Sequence, residues 1–157
     1  MHSWLSVLFV AILIFPIDTF ACSCGGFPKT EEQVIERVDW AGLVILARVE
    51  EESRRSWVIG SEVQSESLAK VTVIENFKGS TAGLELIIEI SRTSCSIDLN
   101  VRDTYLIFAY GPMPGGLYQI NMCSAFLYET VAKALPEYYE QLRERLAPIL
   151  AVLRGRL

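Results

Sequence analysis

The chain has 157 residues, 51% hydrophobic and 21% charged, with a formal net charge of −5. This length argues for one domain, and this composition can bury a core, which excludes a disordered tail. The acidic balance, with no run of Lys and Arg, argues against a nucleic-acid surface and against electrostatic docking on anionic membranes.

The chain opens with a targeting pattern. Trp4 to Ile17 (WLSVLFVAILIFPI) is almost wholly apolar. It falls short of the roughly 20 residues that a membrane-spanning helix needs, and Pro16 interrupts it. Thr19-Phe20-Ala21 places small residues at −3 and −1 of a cut before Cys22. Residues 1–21 are therefore expected to be a signal peptide, with residues 22–157 as one mature domain. Met1-His2-Ser3 departs from the pattern in lacking Lys or Arg, so the free amine and His2 must supply the positive end. A lipoprotein cut would fall at the same residue and would cap the Cys22 amine. Thr19 and Phe20 fit its preceding box poorly. Cleavage removes one acid, Asp18, so the formal charge becomes −4. It also removes the single His, which excludes histidine-based catalysis or metal ligation in the mature chain.

The four cysteines are Cys22, Cys24, Cys95 and Cys123. An even count behind an export signal implies disulfides. A Cys22–Cys24 bridge would close a small strained ring. The two remaining pairings both tie the N-terminal Cys-Ser-Cys to the later cysteines, and both stay open on spacing alone.

Residues 22–30 (CSCGGFPKT) are turn-rich. Thr30, followed by Glu31, Glu32 and Gln33, predicts a helix cap with acids in the first turn, and Val34, Ile35 and Val38 predict an apolar stripe to about Trp40. Leu43 to Glu50 (LVILARVE) predicts a strand. Glu51 to Glu66 is polar around Arg54, Arg55 and Trp57, and predicts a long hairpin tip or the ragged strand ends around one. Leu68 to Phe77 and Leu84 to Ile90 predict the second and third strands, with a Lys78-Gly79-Ser80 turn between them. Tyr105 to Tyr110 predicts a fully buried strand. Gly111 to Gly116 is a loop, and Leu117 to Met122 predicts a fifth strand before Cys123. The remainder predicts helix, with Leu135, Tyr138, Tyr139, Leu142, Leu146, Ile149, Leu150 and Leu153 on one face and Pro148 kinking or dividing it.

This is a mainly β fold with flanking helices. Five short strands suggest a small closed sheet, and a five-stranded OB-type barrel has that count; a sandwich fits the strand count nearly as well. Asp98, Asp103 and the glutamates read as solvated charges or caps. Tyr105, Tyr110 and Tyr118 read as core packing rather than a nucleic-acid stacking platform. No serine elbow, phosphate-cradling loop or histidine metal motif is present, so the chain is expected to be neither an enzyme nor a cofactor carrier. Redox or metal chemistry by a free Cys-Ser-Cys is a further reading, disfavoured by the spare Cys95 and Cys123.

Several of these segments resemble one family. Cys22-Ser23-Cys24 is similar to the Cys-x-Cys opening of the tissue inhibitors of metalloproteinases. Val38 to Val49 (VDWAGLVILARV), Val71 to Gly79 (VTVIENFKG), Cys95, Tyr105 to Ala109 (YLIFA) and Cys123 follow in the order and spacing of the wider netrin-like (NTR) superfamily. The resemblance covers roughly residues 22–145. It implies a five-stranded OB barrel with a C-terminal helix and the bridges Cys22–Cys95 and Cys24–Cys123. It further implies that the Cys22 amine and carbonyl chelate the zinc of a target protease, in trans. Ser23 would enter the specificity pocket, and Cys24, Gly25, Thr93, Ser94 and Cys95 would complete the contact ridge. The departures are the missing third disulfide, the unmatched C-terminal domain, glycines at Gly25 and Gly26, and a longer terminal helix. Many NTR-type modules bind other proteins without inhibiting a protease, which is the alternative reading. The implied partner is a zinc metalloproteinase or another extracytoplasmic protein. The implied location is extracellular, or periplasmic or surface-tethered in a bacterium, with no membrane association unless Cys22 is lipidated.

Overall fold

In a computed structural model, the described residues are 24, 26–81, 83–91, 96–131 and 136–156, with the side chains of residues 62–64 excepted. The elements run α1 (Glu31–Trp40), β1 (Leu43–Ile59), β2 (Glu62–Lys78), β3 (Glu85–Ile90), β4 (Thr104–Ala109), β5 (Tyr118–Ile120), β6 (Ala125–Glu129) and α2 (Pro136–Gly155). The expected signal peptide and Leu135 lie outside the described residues.

The expected helix 31–40 forms with its cap. The Thr30 side chain accepts from the Gln33 amide, 3.3 Å away, while the Gln33 side chain accepts from the Lys29 amide. Glu31 and Glu32 sit in the first turn, where the helix dipole favours acids. Val34 is buried.

The strands form one six-stranded sheet in the order β5-β3-β2-β1-β4-β6. All neighbours are antiparallel except β3 and β5. β1 lies in the middle, and its side chains alternate between two clusters. Leu43, Ile45, Ala47 and Val49 face a core shared with Val71, Ile88, Ile107 and Ile120. Val44 and Leu46 face the other side, with Leu106, Phe108, Phe126 and the buried stripe of α2. A strand buried on both faces needs a continuous apolar run, which is why LVILA and YLIFA show little alternation. Beyond the strand order, Tyr110 and Gln119 exchange both backbone hydrogen bonds, at 2.9 and 3.0 Å, tying the residue after β4 to β5.

Two expectations change. Among the described residues there are six strands rather than five, because Ala125–Glu129 pairs with β4 where helix was expected. Ala125 and Phe126 are buried there, and the edge of β4 supplies hydrogen bonds that local helix preference cannot outweigh. The hairpin expected over 51–66 forms, and it is paired up to its tip. β1 and β2 continue through it in register to a two-residue turn at Gly60-Ser61, where Gly60 has φ +63°, as two-residue hairpins require. Pro148 does not divide the terminal helix, which continues from Pro136 to Gly155. Pro148 is on the exposed face, where water can satisfy the carbonyl that its missing N–H leaves.

On α2, Leu142, Leu146, Ile149, Leu150 and Leu153 are buried as expected, whereas Tyr138 is exposed. Arg154 pairs bidentately with Glu75 on β2, at 2.7 to 3.3 Å. The Arg154 hydrogen bonds hold the Glu75 carboxyl below its usual range. Asp103 is buried rather than solvated. It accepts from the Val131 amide at 2.9 Å, tying the chain after β6 to the start of β4. Tyr105 is buried in the core, its hydroxyl accepting from the Asn100 amide, and burial pushes its ionisation up. Among the described residues, no helix is long and apolar enough to cross a membrane.

Candidate functional site

The N-terminal segment is held to the body at Cys24. Cys24 and Cys123 are joined by a disulfide across 99 residues of sequence, with Cα atoms 5.2 Å apart. This matches one of the two implied bridges and removes these two cysteines from any free-thiol chemistry.

The turn bearing Cys123 is fixed from within. Asn121 follows β5, and its side-chain oxygen accepts from the Cys123 amide (2.8 Å) and the Ser124 hydroxyl (3.0 Å). The Ser124 carbonyl in turn accepts from the Phe108 amide of β4. An Asn at such a position mimics a backbone turn with its own side chain.

Arg37 of α1 bridges the two chain segments that the disulfide joins. One guanidinium nitrogen donates to the Cys123 carbonyl and the other to the Gly26 carbonyl, both at 2.8 Å. The guanidinium also lies 5.2 Å over the Phe126 ring. Partial burial pushes its pKa down, while Tyr110 and Glu36 act in the opposite direction. The planar fork suits this task, since two donors reach two carbonyls at once and the cation rests on an aromatic face. Beside it, Phe27 packs on Phe126 with ring centroids 4.7 Å apart, and Pro28 is buried. Cys24 and residues 26–28 are therefore secured by a covalent bond, a forked cation and an aromatic contact, although they have no regular secondary structure of their own.

A groove of about 410 Å³ opens beside this segment, lined by Cys24, Pro28, Gln33, Glu36, Arg37, Trp40, Tyr110 and Cys123. Its rim carries a stacked pair, Trp40 and Tyr110, with centroids 4.5 Å apart and planes 19° from parallel. Both remain more than a third exposed, at 38% and 37%. Tyr110 thus departs from the expected core role, while Tyr118 packs partly buried against the core.

Of the expected ridge, Cys24 is placed as described. Cys22, Ser23, Gly25, Thr93, Ser94 and Cys95 lie outside the described residues, and so does the implied Cys22–Cys95 bridge. The chain approaching Thr93 is fixed, because the Ser91 amide donates to the Ile120 carbonyl at 2.8 Å. Ser91 is therefore at the same sheet end as the Cys123 turn. Among the described residues, no group of three or more His, Cys, Asp or Glu could hold a metal ion.

Sequence reasoning missed Arg37 and Asn121. A signal for Arg37 was present, since it sits three residues after buried Val34 and next to Val38, inside the apolar stripe. A cation in that position must snorkel out or find acceptors within. Asn121 carried no comparable signal, because its role depends on where β5 ends. No family model matches the chain, and no curated protein matches it either, so the reading of this site rests on its residues alone.

Proposed function

We propose that the mature chain is a secreted NTR-type domain that inhibits a zinc metalloproteinase through its N-terminal Cys22. Cleavage after Ala21 would expose the Cys22 amine. That amine and the Cys22 carbonyl would then displace the water from the open position of a catalytic zinc. An α-amino group has a pKa near 8 in model peptides, so binding must favour its neutral form. Ser23 would enter the specificity pocket without steric conflict, and Gly25, Thr93, Ser94 and Cys95 would flank it.

The observation that carries this reading is the Cys24–Cys123 bridge, with Arg37 across it. It anchors the third residue of the proposed mature chain to the body, which would limit the segment left to order on binding to the two residues before it. The barrel reading has separate support. Adding the Tyr110–Gln119 exchange to the pairings gives the ring β1-β2-β3-β5-β4, with β3 and β5 parallel. A five-stranded closed sheet of OB type would have this ring, with β6 as an additional strand. Export fits the disulfide.

The exposed Trp40–Tyr110 stack favours a second reading, an NTR-type protein-binding module without protease inhibition. Trp and Tyr are the residue types that most often dominate protein interfaces, and this pair flanks Cys24 without depending on the amine.

An alanine added before Cys22 separates the two. Inhibition constants against a panel of zinc metalloproteinases are expected to collapse for the extended form, with its melting temperature nearly unchanged. Inhibition by the extended form would rule out chelation. Binding that survives the extension but is lost in Trp40→Ala would favour the second reading.

A further inference from the structure

β1 and β2 extend well past the sheet. β1 pairs with β4 only over Leu43–Arg48, and β2 pairs with β3 only over Ser67–Thr72. From Arg55 to Ile59, β1 has β2 as its one paired strand among the described residues. A two-stranded ribbon is marginal by itself in water, and its outer edges are templates for another strand. The far part of β1 is also strongly apolar for an exposed element. Trp57 is 44% exposed, Val58 68% and Ile59 63%. No proline interrupts it.

We infer that this arm pairs with the same arm of a second copy, β1 against β1, antiparallel about a two-fold axis at Ser56. The sequence Arg54-Arg55-Ser56-Trp57-Val58 is self-complementary in that register. Arg55 lies opposite Trp57 of the other copy and Arg54 opposite Val58, with Ser56 facing itself. A two-fold axis perpendicular to the sheet keeps paired side chains on one face, so the register moves only in steps of two. One step toward the N-terminus sets Arg55 against Arg55, a like-charge pair that destabilises a sheet. The Ser56 register instead forms two Arg–Trp cross-strand pairs, each offering a cation to an aromatic face. The two-fold makes the interface isologous and closed, so pairing stops at the dimer. The shared segment is five residues, about 17 Å of strand, which places the dimer among weak, concentration-dependent contacts. It requires neither a protease nor the Cys22 amine.

Sedimentation equilibrium of the mature secreted protein, from micromolar to submillimolar concentration, is expected to show a monomer–dimer equilibrium. Trp57→Arg, which sets arginine against Arg55, is expected to weaken the dimer about tenfold. Under mild oxidation Ser56→Cys is expected to cross-link two chains at least about ten times faster than Val58→Cys, because only residues facing each other meet disulfide distances. A wild-type protein that stays monomeric throughout would overturn the proposal whatever the variants do. Equal cross-linking rates, or undiminished association of Trp57→Arg, would overturn the register and with it the arm as the interface.

Discussion

Gly42→Ala is expected to lower the melting temperature by about 10 °C or more, or to prevent recovery of folded protein. A methyl group at Gly42 would lie 1.7 Å from the Gly111 carbonyl oxygen and 2.7 Å from its carbon. These are backbone atoms, and rotating a side chain cannot clear them. Gly42 donates to the Ala109 carbonyl at 2.9 Å, so it also starts the β1–β4 pairing. Relieving the clash means opening that pairing or moving Gly111, which has φ +116° and accepts no β-carbon easily. Gly79 closes the other side, since a methyl group there would meet the Gly42 carbonyl at 2.6 Å. Two backbones thus press on Gly42 where β1 leaves α1. Overpacking costs typically about 1–3 kcal/mol and sometimes more, and with backbone on both sides we expect about 3 kcal/mol or more. At a few degrees per kcal/mol for a domain of this size, that gives the stated shift. Gly83→Ala is the control, since nothing lies within 4 Å of the added carbon. A Gly42→Ala melt within a few degrees of wild type would show that the close approach is not required.

Replacing both Cys24 and Cys123 by alanine should be nearly as damaging. The bridge closes a loop of 99 residues, for which the chain-entropy model gives about 4–5 kcal/mol. Small domains hold only about 5–15 kcal/mol in total, so a large part of the folded margin rests on this bond. Paired substitution avoids leaving one unpaired thiol. Thermal melts are expected to fall by about 10–20 °C, and amide exchange at Gly26 and Phe27 should speed up, because the Arg37 hydrogen bond and the Phe27–Phe126 contact would then hold that end of the segment without the bridge. A melt changed by only a few degrees would mean that the unfolded chain is already compact enough to make the bridge redundant.

Where the pattern is local, the sequence was a good guide. The Thr30 cap, the helix to Trp40, the buried runs at 43–49 and 105–109 and the leucine stripe of the last helix are each set by neighbours within a few residues. What it concealed depends on distant partners. β6 is a strand because β4 offers it an edge. The 51–66 hairpin was legible, but not that its strands stay paired in register up to the turn at Gly60-Ser61. Gly42 looks like an ordinary helix-end glycine until Gly111 is brought against it. At the candidate site the cysteines were visible, whereas Arg37 and Asn121 act on Cys123 from 86 and 2 residues away. Arg37 is signalled by its place inside the apolar stripe, whereas the Asn121 contact depends on where β5 ends.

In the proposed inhibitor, a free Cys22 amine opens a mature chain cross-linked by two bridges. Intact mass spectrometry of the secreted protein, with and without reduction, tests it most directly. The account predicts a mass beginning at unmodified Cys22 that gains four hydrogens on reduction, one for each cysteine. A lipid-bearing mass, a start at another residue, or a gain of only two hydrogens would contradict it.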